Sequence, residues 1–364
     1  MFFRCQTYRK RIFLQIFKHL IGCIRMFLYL CLLNTGVMDI TTNFMGVRIK
    51  SPVVVGSCGL TSDLATLKKI EEAGAGAVIL KSVFEEQILQ EMTNSLKMSS
   101  NFGFSPETYD YVVSHTKEQS LDKYMNLIKT AKSELSIPII ASVNCVSASQ
   151  WISLAGRMEQ AGADGVELNM FVLPSDVNLT TDDVERFYED VIQSIKRALS
   201  IPISIKISSY FSSLARFAQK LSWMGIANLH IFNRFASQDI NIDKICTEPA
   251  NVFSSPSDLP RVIRWTAILS NIIHCPLTSG GGVHKPQDVI KLLLAGASTV
   301  QVVSALYEQG TEFISEANAL LESWMKEKNF KSIDDFRGKL AVEKNNNSST
   351  FHRVQFMKYF AGIK

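Results

Sequence analysis

Three groups of residues in this 364-residue chain have types and places suited to chemistry. Lys81 and Lys206 each close an otherwise apolar run, AVILKS and ISIK. An ammonium so placed is solvated, donates to an electron-rich ring, stabilises a developing anion, or forms a Schiff base with a carbonyl substrate. Gly280, Gly281 and Gly282 are consecutive, and Ser304 lies one helix and one strand further on. Glycine lets backbone amides approach a ligand closely, and amides exposed at the start of a helix bind phosphate. A tight turn explains one glycine; three in a row point to a phosphate. Asn144, Asn169 and Asn233 each end an apolar run on a polar amide. His230 reads as a core histidine, and His284, just after the glycines, is either structural or within reach of a phosphate.

These groups need a scaffold that brings them together, and an internal repeat supplies it. Four segments run from a Gly-Ala or similar helix end into an apolar strand: 73–82, 161–170, 224–233 and 295–304. Glycine suits the left-handed helix terminus, and short β-branched runs suit parallel strands buried on both faces. Four others begin at proline: 51–59, 136–144, 200–208 and 274–282. Proline at a strand's first residue costs no ladder bond. The two kinds alternate strictly, giving eight strands with room for a helix after each. That order predicts right-handed βαβ units closed into a single (β/α)8 TIM barrel over 38–342. The lysines, glycines, asparagines and Ser304 named above then fall at the C-terminal rim, where such barrels keep their sites. Two lysines on separate strands of one rim favour ring contact over Schiff-base chemistry. The stretches after the second and sixth strands are long, and predict insertions there that act as substrate loops, surface helices or a subunit contact.

Outside the barrel, residues 311–328 predict a helix with Phe313, Ile314, Ala317, Leu320, Leu321 and Trp324 on one face, and Ser332–Asp335 a capping box. Residues 343–350 read as a linker, and Phe351, Phe356, Tyr359 and Phe360 as an aromatic tail that docks on the barrel or on a partner subunit. Residues 1–37 hold six basic and no acidic residues, so the remainder carries −2 of the total +4. The basic pI therefore belongs to this leader, and the body shows no basic stripe of a nucleic-acid binder. The leader fits three readings: a segment outside the working protein with Met38 as the start, an amphipathic membrane anchor, or a targeting presequence. Lys18, His19 and Arg25 break its apolar run below the ~18 residues of a spanning helix. The seven cysteines form no C-x-x-C pair, and no metal-ligand spacing occurs. Free thiols in a cytoplasmic protein are the expectation, or a membrane-associated one if the leader is an anchor.

Taken together, residues 40–340 resemble the dihydroorotate dehydrogenase family, in its soluble class 1 branch. Ser57-Cys58-Gly59 is similar to the flavin-packing turn after the first strand, and Lys81-Ser82 to the flavin-contacting Lys-Ser. E-L-N at 167–169 matches the start of a substrate motif, Lys206 the second flavin lysine, and Asn233 the asparagine ending strand six. SGGGV and QVVSAL resemble the two phosphate-binding segments. The resemblance implies flavin mononucleotide (FMN) as cofactor, with its phosphate at Gly281, Gly282 and Ser304 and Lys206 at the pyrimidine edge of the ring. It implies dihydroorotate or a similar cyclic amide as substrate, with Asn169 and Asn233 as contacts, a second electron acceptor of unknown identity, and a homodimer.

The substrate parts depart from the family. Val172 stands where class 1 has a catalytic cysteine and class 2 a serine, and valine cannot take a proton. Pro174 replaces the last asparagine of that motif, and residues 91–109 replace the loop after strand two. Ser175, Cys145 and Tyr210 are the weak candidates for the missing base. Three functions follow: a dehydrogenase of this family, a flavoprotein of the family with another substrate or no dehydrogenase turnover, and a Schiff-base lyase using Lys81 or Lys206.

Overall fold

The eight expected strands close on one another in chain order. The computed structural model describes residues 38–84, 121–144, 148–170, 172–234, 238–342 and 351. A hairpin opens the described chain, β1 (Thr42–Phe44) and β2 (Val47–Ile49), and then the barrel begins. Its strands are β3 (Val53–Val55), β4 (Ala77–Ile79), β6 (Ile139–Asn144), β7 (Gly165–Asn169), β8 (Ile203–Ile207), β9 (Asn228–Ile231), β12 (Leu277–Gly280) and β13 (Thr299–Val302). Every neighbouring pair is parallel, and β13 returns to β3 with Val300 opposite Val53 to complete the ring. A two-residue strand, β5 (Val83–Phe84), adds a further pairing to β6 beyond Lys81.

The helices between strands are α1 (Leu64–Glu72), α2 over 121–134, α3 (Ala148–Gln160), α4 (Thr181–Ala198), α5 (Leu214–Trp223), α6 (Leu259–Leu269) and α7 (Pro286–Ala295). After β13 follow a short α8 (Ser304–Gln309) and then α9 (Glu312–Glu327), whose buried Phe313, Ile314, Ala317 and Leu321 are on the face the sequence marks. The Ser332 turn is braced by Asp335, which accepts the N–H groups of Lys331 and Ser332. Phe351 packs against Ala267, Ala295 and Val342; the other aromatic residues of the tail lie outside the described residues.

The β1–β2 hairpin, at the strand pattern that follows Met38 in the sequence, forms part of the core. Phe44, Met45 and Ile49 pack on Val54, Ala77, Ile79 and Ile140. Gly165 carries no Cβ because Met45 takes the space: an added Cβ would lie 2.6 Å from Met45 Cε.

The barrel lumen is polar where the sequence suggested uniformly apolar strands. Successive strand residues alternate faces, so a period of two puts Glu167 and Asn169, Ser204 and Lys206, Asn228 and His230, Thr278 and Gly280, and Thr299 and Gln301 in like orientation on their strands. In the lower layer Asn228 Nδ2 donates to Ser204 Oγ at 2.9 Å, and Thr278 Oγ bridges Asn228 Oδ1 at 3.0 Å and Thr299 Oγ at 2.7 Å. Buried polar groups cost little only when paired in this way.

Between β9 and α6 lies an antiparallel hairpin, β10 (Gln238–Asn241) and β11 (Cys246–Pro249), which exposes Ile240, Ile242 and Ile245. Among the described residues, no helix is long and apolar enough to cross a membrane. Residues 1–37 and the loop 91–109 lie outside the described residues.

Candidate active site

The upper lumen layer is built around one cation. Register places Lys206 of β8 beside Asn169 of β7 and His230 of β9. Lys206 Nζ donates to Gln301 Oε1 at 3.1 Å. Below it, His230 Nδ1 meets Glu167 Oε2 at 2.9 Å, both side chains wholly buried. Burial opposes ionisation of Glu167, but His230 and Lys206 outweigh it and hold its pKa below the usual carboxylate value. Burial pushes the pKa of His230 down, with Lys206 adding to the effect against the pull of Glu167. Burial likewise lowers that of Lys206, against Glu167. The carboxylate of Glu167 is thus held in its ionised form, with His230 Nδ1 facing its Oε2. Gln301 Nε2 and His230 Nε2 are buried and have no hydrogen-bond partner among the described residues.

A cavity of about 320 Å³ adjoins this layer. Of the residues the sequence singles out, Ser57, Lys206, Asn233, Gly280, Gly281, Gly282 and Ser304 line it. Asn169 reaches it through Asn233, whose Nδ2 donates to Asn169 Oδ1 at 2.7 Å. Ser82 supports Ser57 from below: its N–H donates to Ser57 Oγ at 2.8 Å, and its own hydroxyl bonds Ser142 at 2.7 Å. Burial raises the pKa of the Cys58 thiol, which also bonds the hydroxyl of Tyr307, so it is neutral at physiological pH. Gly59 faces the same hydroxyl, 2.8 Å from where a Cβ would stand.

Gly281 and Gly282 both adopt positive φ, +107° and +74°. A Cβ on Gly282 would stand 2.4 Å from the backbone nitrogen of Leu259. The sequence reading has these glycines opening the next helix. Instead they form a turn, and α7 starts only at Pro286, whose missing N–H suits a first helical position.

The remaining candidates lie elsewhere. Lys81 is exposed and does not line the cavity. Val172 is partly buried; Ser175 is exposed and bonds Leu173 within its own loop; Tyr210 is half exposed. Cys145 lies outside the described residues. The structure adds lining residues that were not foreseen. Gln301 has a readable signal, one amide inside an apolar strand. Ser254 and Arg234 have none, because an irregular segment carries them: the Arg234 guanidinium bonds Asn251 O and Val252 O, each at 2.6 Å.

A parallel barrel with a glycine-floored cavity beside strand-end polar groups defines a barrel enzyme with a rim site. A family model described as dihydroorotate dehydrogenase matches residues 39–325, and the chain belongs to that family. It is thus an oxidoreductase of the dehydrogenase kind. Among similar proteins, the catalytic subunit of dihydroorotate dehydrogenase B (NAD(+)) of Thermoplasma volcanium is 26% identical over 312 residues, 82% of this chain and 98% of that protein. The same subunit from Methanothermobacter thermautotrophicus is 25% identical over 311 residues, 82% and 97% of the two chains. The NAD-dependent dihydropyrimidine dehydrogenase subunit PreA of Escherichia coli is 22% identical over 323 residues, 82% of this chain and 76% of that one.

Proposed function

We propose that this chain is an FMN-dependent dehydrogenase that oxidises a CH–CH bond of a small cyclic amide, dihydroorotate or a close analogue. The observation that carries the reading is the meeting of Lys206 and Gln301 with the Gly281–Gly282 turn and Ser304 around one cavity. The donor set fits the cofactor. The glycine turn and the Ser304 hydroxyl suit a phosphate, Lys206 suits an electron-rich ring edge, and the unpartnered Gln301 amide offers a further buried donor. Ser57, Cys58, Gly59 and Ser82 would support the ring, with Lys81 at its margin. FMN bound there would accept a hydride at ring nitrogen N5 and release the electrons to a second acceptor.

The protein's own contributions follow from the geometry. Lys206 would set a positive charge beside the ring and stabilise negative charge developing there. Glu167 keeps that cation ionised from below, and His230 fixes the carboxylate. Asn169 and Asn233, joined by their amides, present one acceptor and one donor edge to a substrate amide. Val172 supplies no proton acceptor, so any base comes from another residue.

That gap favours a second reading, a flavoprotein of the same family with a different substrate or without dehydrogenase turnover. The Schiff-base lyase reading loses its support, because Lys206 is bonded to Gln301, Lys81 does not line the cavity, and the family is one of dehydrogenases. By analogy with relatives named as catalytic subunits, we also propose a partner subunit or a second copy of the chain as part of the working enzyme. A cytoplasmic setting is consistent with free Cys58, Cys246 and Cys275. The test is an absorption spectrum before and after anaerobic dihydroorotate. Flavin bands that bleach support the dehydrogenase, bands that persist favour the second reading, and a colourless protein that takes up no added FMN removes both.

A further inference from the structure

The polar side chains of the lumen form a hoop that starts at the cavity wall and runs inward around the barrel. One residue comes from each of six successive strands of the ring or their ends: Ser57 after β3, Ser82 after β4, Ser142 of β6, Glu167 of β7, Ser204 of β8 and His230 of β9. Ser57 lines the cavity, and its Oγ lies 2.9 Å from Ser82 Oγ. Ser82 Oγ lies 2.7 Å from Ser142 Oγ. Tyr124 of α2 accepts the N–H of Ser142 at 3.0 Å and fixes the backbone there. Register sets Ser142 opposite Glu167 and Glu167 opposite Ser204, so the three side chains share the inner face. At the far end, Glu167 Oε2 meets His230 Nδ1 at 2.9 Å and Ser204 Oγ at 3.5 Å.

The hoop has one gap, between Ser142 and Glu167. Glu167 Oε1 is buried and has no hydrogen-bond partner among the described residues. Ser142 is also wholly buried, and among the described residues its hydroxyl bonds Ser82 alone. A buried carboxylate oxygen without a donor is costly, and Glu167 is held in its ionised form. A water between the two groups gives each what it lacks, donating to Glu167 Oε1 and accepting the Ser142 O–H. The direction of the whole chain then follows, because each hydroxyl has one proton and the carboxylate has none. Ser142 donates to the water, so it accepts from Ser82. Ser82 donates to Ser142, so it accepts from Ser57. Ser57 Oγ further accepts the N–H of Ser82 at 2.8 Å. One lone pair and no proton of Ser57 is left for the cavity.

We propose that the lumen binds one ordered water between Ser142 Oγ and Glu167 Oε1, and that Glu167, acting through this water and two serine hydroxyls, makes Ser57 a hydrogen-bond acceptor on the cavity wall. Glu167 is thus a positioning residue, and the ligand group taken at Ser57 is an N–H or O–H donor rather than a carbonyl. The inference holds whichever cofactor fills the cavity. Neutron diffraction from crystals of the full-length protein, exchanged into heavy water, locates the deuterons. The expected map has one water within hydrogen-bond reach of Ser142 and Glu167. It has the Ser142 deuteron on that water, the Ser82 deuteron on Ser142 and the Ser57 deuteron on Ser82. Absence of the water, or a wild-type Ser57 deuteron aimed into the cavity, would overturn the proposal. Glu167→Gln keeps the shape but removes the acceptor-only group, and the Ser57 deuteron is expected to divide between Ser82 and the cavity. Ser142→Ala breaks the chain with the carboxylate still in place and is expected to release Ser57 in the same way. An unchanged Ser57 deuteron in whichever of these variants folds also defeats the idea. Urea unfolding of Ser142→Ala, Glu167→Gln and the double variant reads the link in solution. The double variant's unfolding constant is expected to depart from the product of the single effects by about fivefold, the coupling of groups in one hydrogen-bond network. Single effects that simply multiply would show that no water joins the two.

Discussion

Replacing Lys206 by methionine removes the cation that faces the buried Glu167. Lys206 bonds Gln301 and acts on Glu167 through its charge alone, so the loss is expected to fall below the ~3–5 kcal/mol of a broken buried ion pair. The double change Lys206→Met with Glu167→Gln removes both charges and is expected to recover a large part of that loss in urea unfolding. A double variant no more stable than Lys206→Met would mean that the two charges are not coupled. Glu167 and His230 both have lowered pKa values in the folded protein. Each therefore contributes stability that is full above its unfolded value and lost as pH falls. Unfolding midpoints should decline first below about pH 6.5, where the unfolded histidine binds a proton that the buried ring refuses, and further below the ordinary glutamate range. Glu167→Gln should remove the lower part of that decline. Also at this scale, Val172→Cys places a thiol where the family has its base. Stopped-flow absorbance should show dihydroorotate bleaching the flavin about tenfold or more faster than in the wild type. Equal rates would show that another group already does that work.

The strand starts show how sequence grammar becomes geometry. In the S-I-P segments at 136–138 and 200–202, proline offers no N–H, and its carbonyl opens the ladder to the preceding strand: Val78 N bonds Pro138 O and Val166 N bonds Pro202 O. The N–H groups just before each proline go to a helix-end carboxylate. Glu71 Oε1 accepts Ser136 N–H, Ser136 O–H and Ile137 N–H, and Glu159 Oε1 does the same for Ser200 and Ile201. Glu71→Gln and Glu159→Gln should each cost roughly 1 kcal/mol, since such bonds are partly exposed, and the losses should add because the two braces share no partner. Both pKa values are lowered, for Glu159 chiefly by Ser200 and for Glu71 by Ser136 against the cost of burial, so this contribution is present at neutral pH and fades under acid. A thermal midpoint of the double variant equal to either single one would rule out independent braces. The alternation of proline and glycine strands was legible because each residue type answers a local backbone requirement. So were the rim residues, which follow from strand ends. The polar lumen was readable in principle as period two, in V-E-L-N, I-S-I-K and T-V-Q-V, but the apolar residues of those runs mask it. Ser254 was not legible, since its place depends on contacts distant in sequence. The late start of α7 reflects Pro286, which outweighs the glycines in setting where the helix begins.

At the scale of the whole chain, the ring of strands is completed by residues after the basic leader. β3 pairs with β13, and Thr42 Oγ donates to Ser298 O at 2.9 Å, joining the first hairpin to the last βα unit. Among the described residues, the buried core likewise begins with Ile40 and Phe44. We therefore expect a protein starting at Met38 to fold to the same barrel, unfold in one transition with the midpoint of the full chain, and take up FMN with unchanged affinity. Its net charge passes from +4 to −2 with the six basic residues removed, so its migration at pH 7 reverses direction. Near-ultraviolet circular dichroism of the two proteins makes the comparison. Coincident spectra and midpoints make 38–364 an autonomous unit, and a lost near-ultraviolet signal in the shorter protein makes residues 1–37 part of the fold. If the spectra coincide but the FMN affinity drops, the leader contributes to the cofactor end of the barrel, and the contact should be sought at the rim rather than under the β1–β2 hairpin.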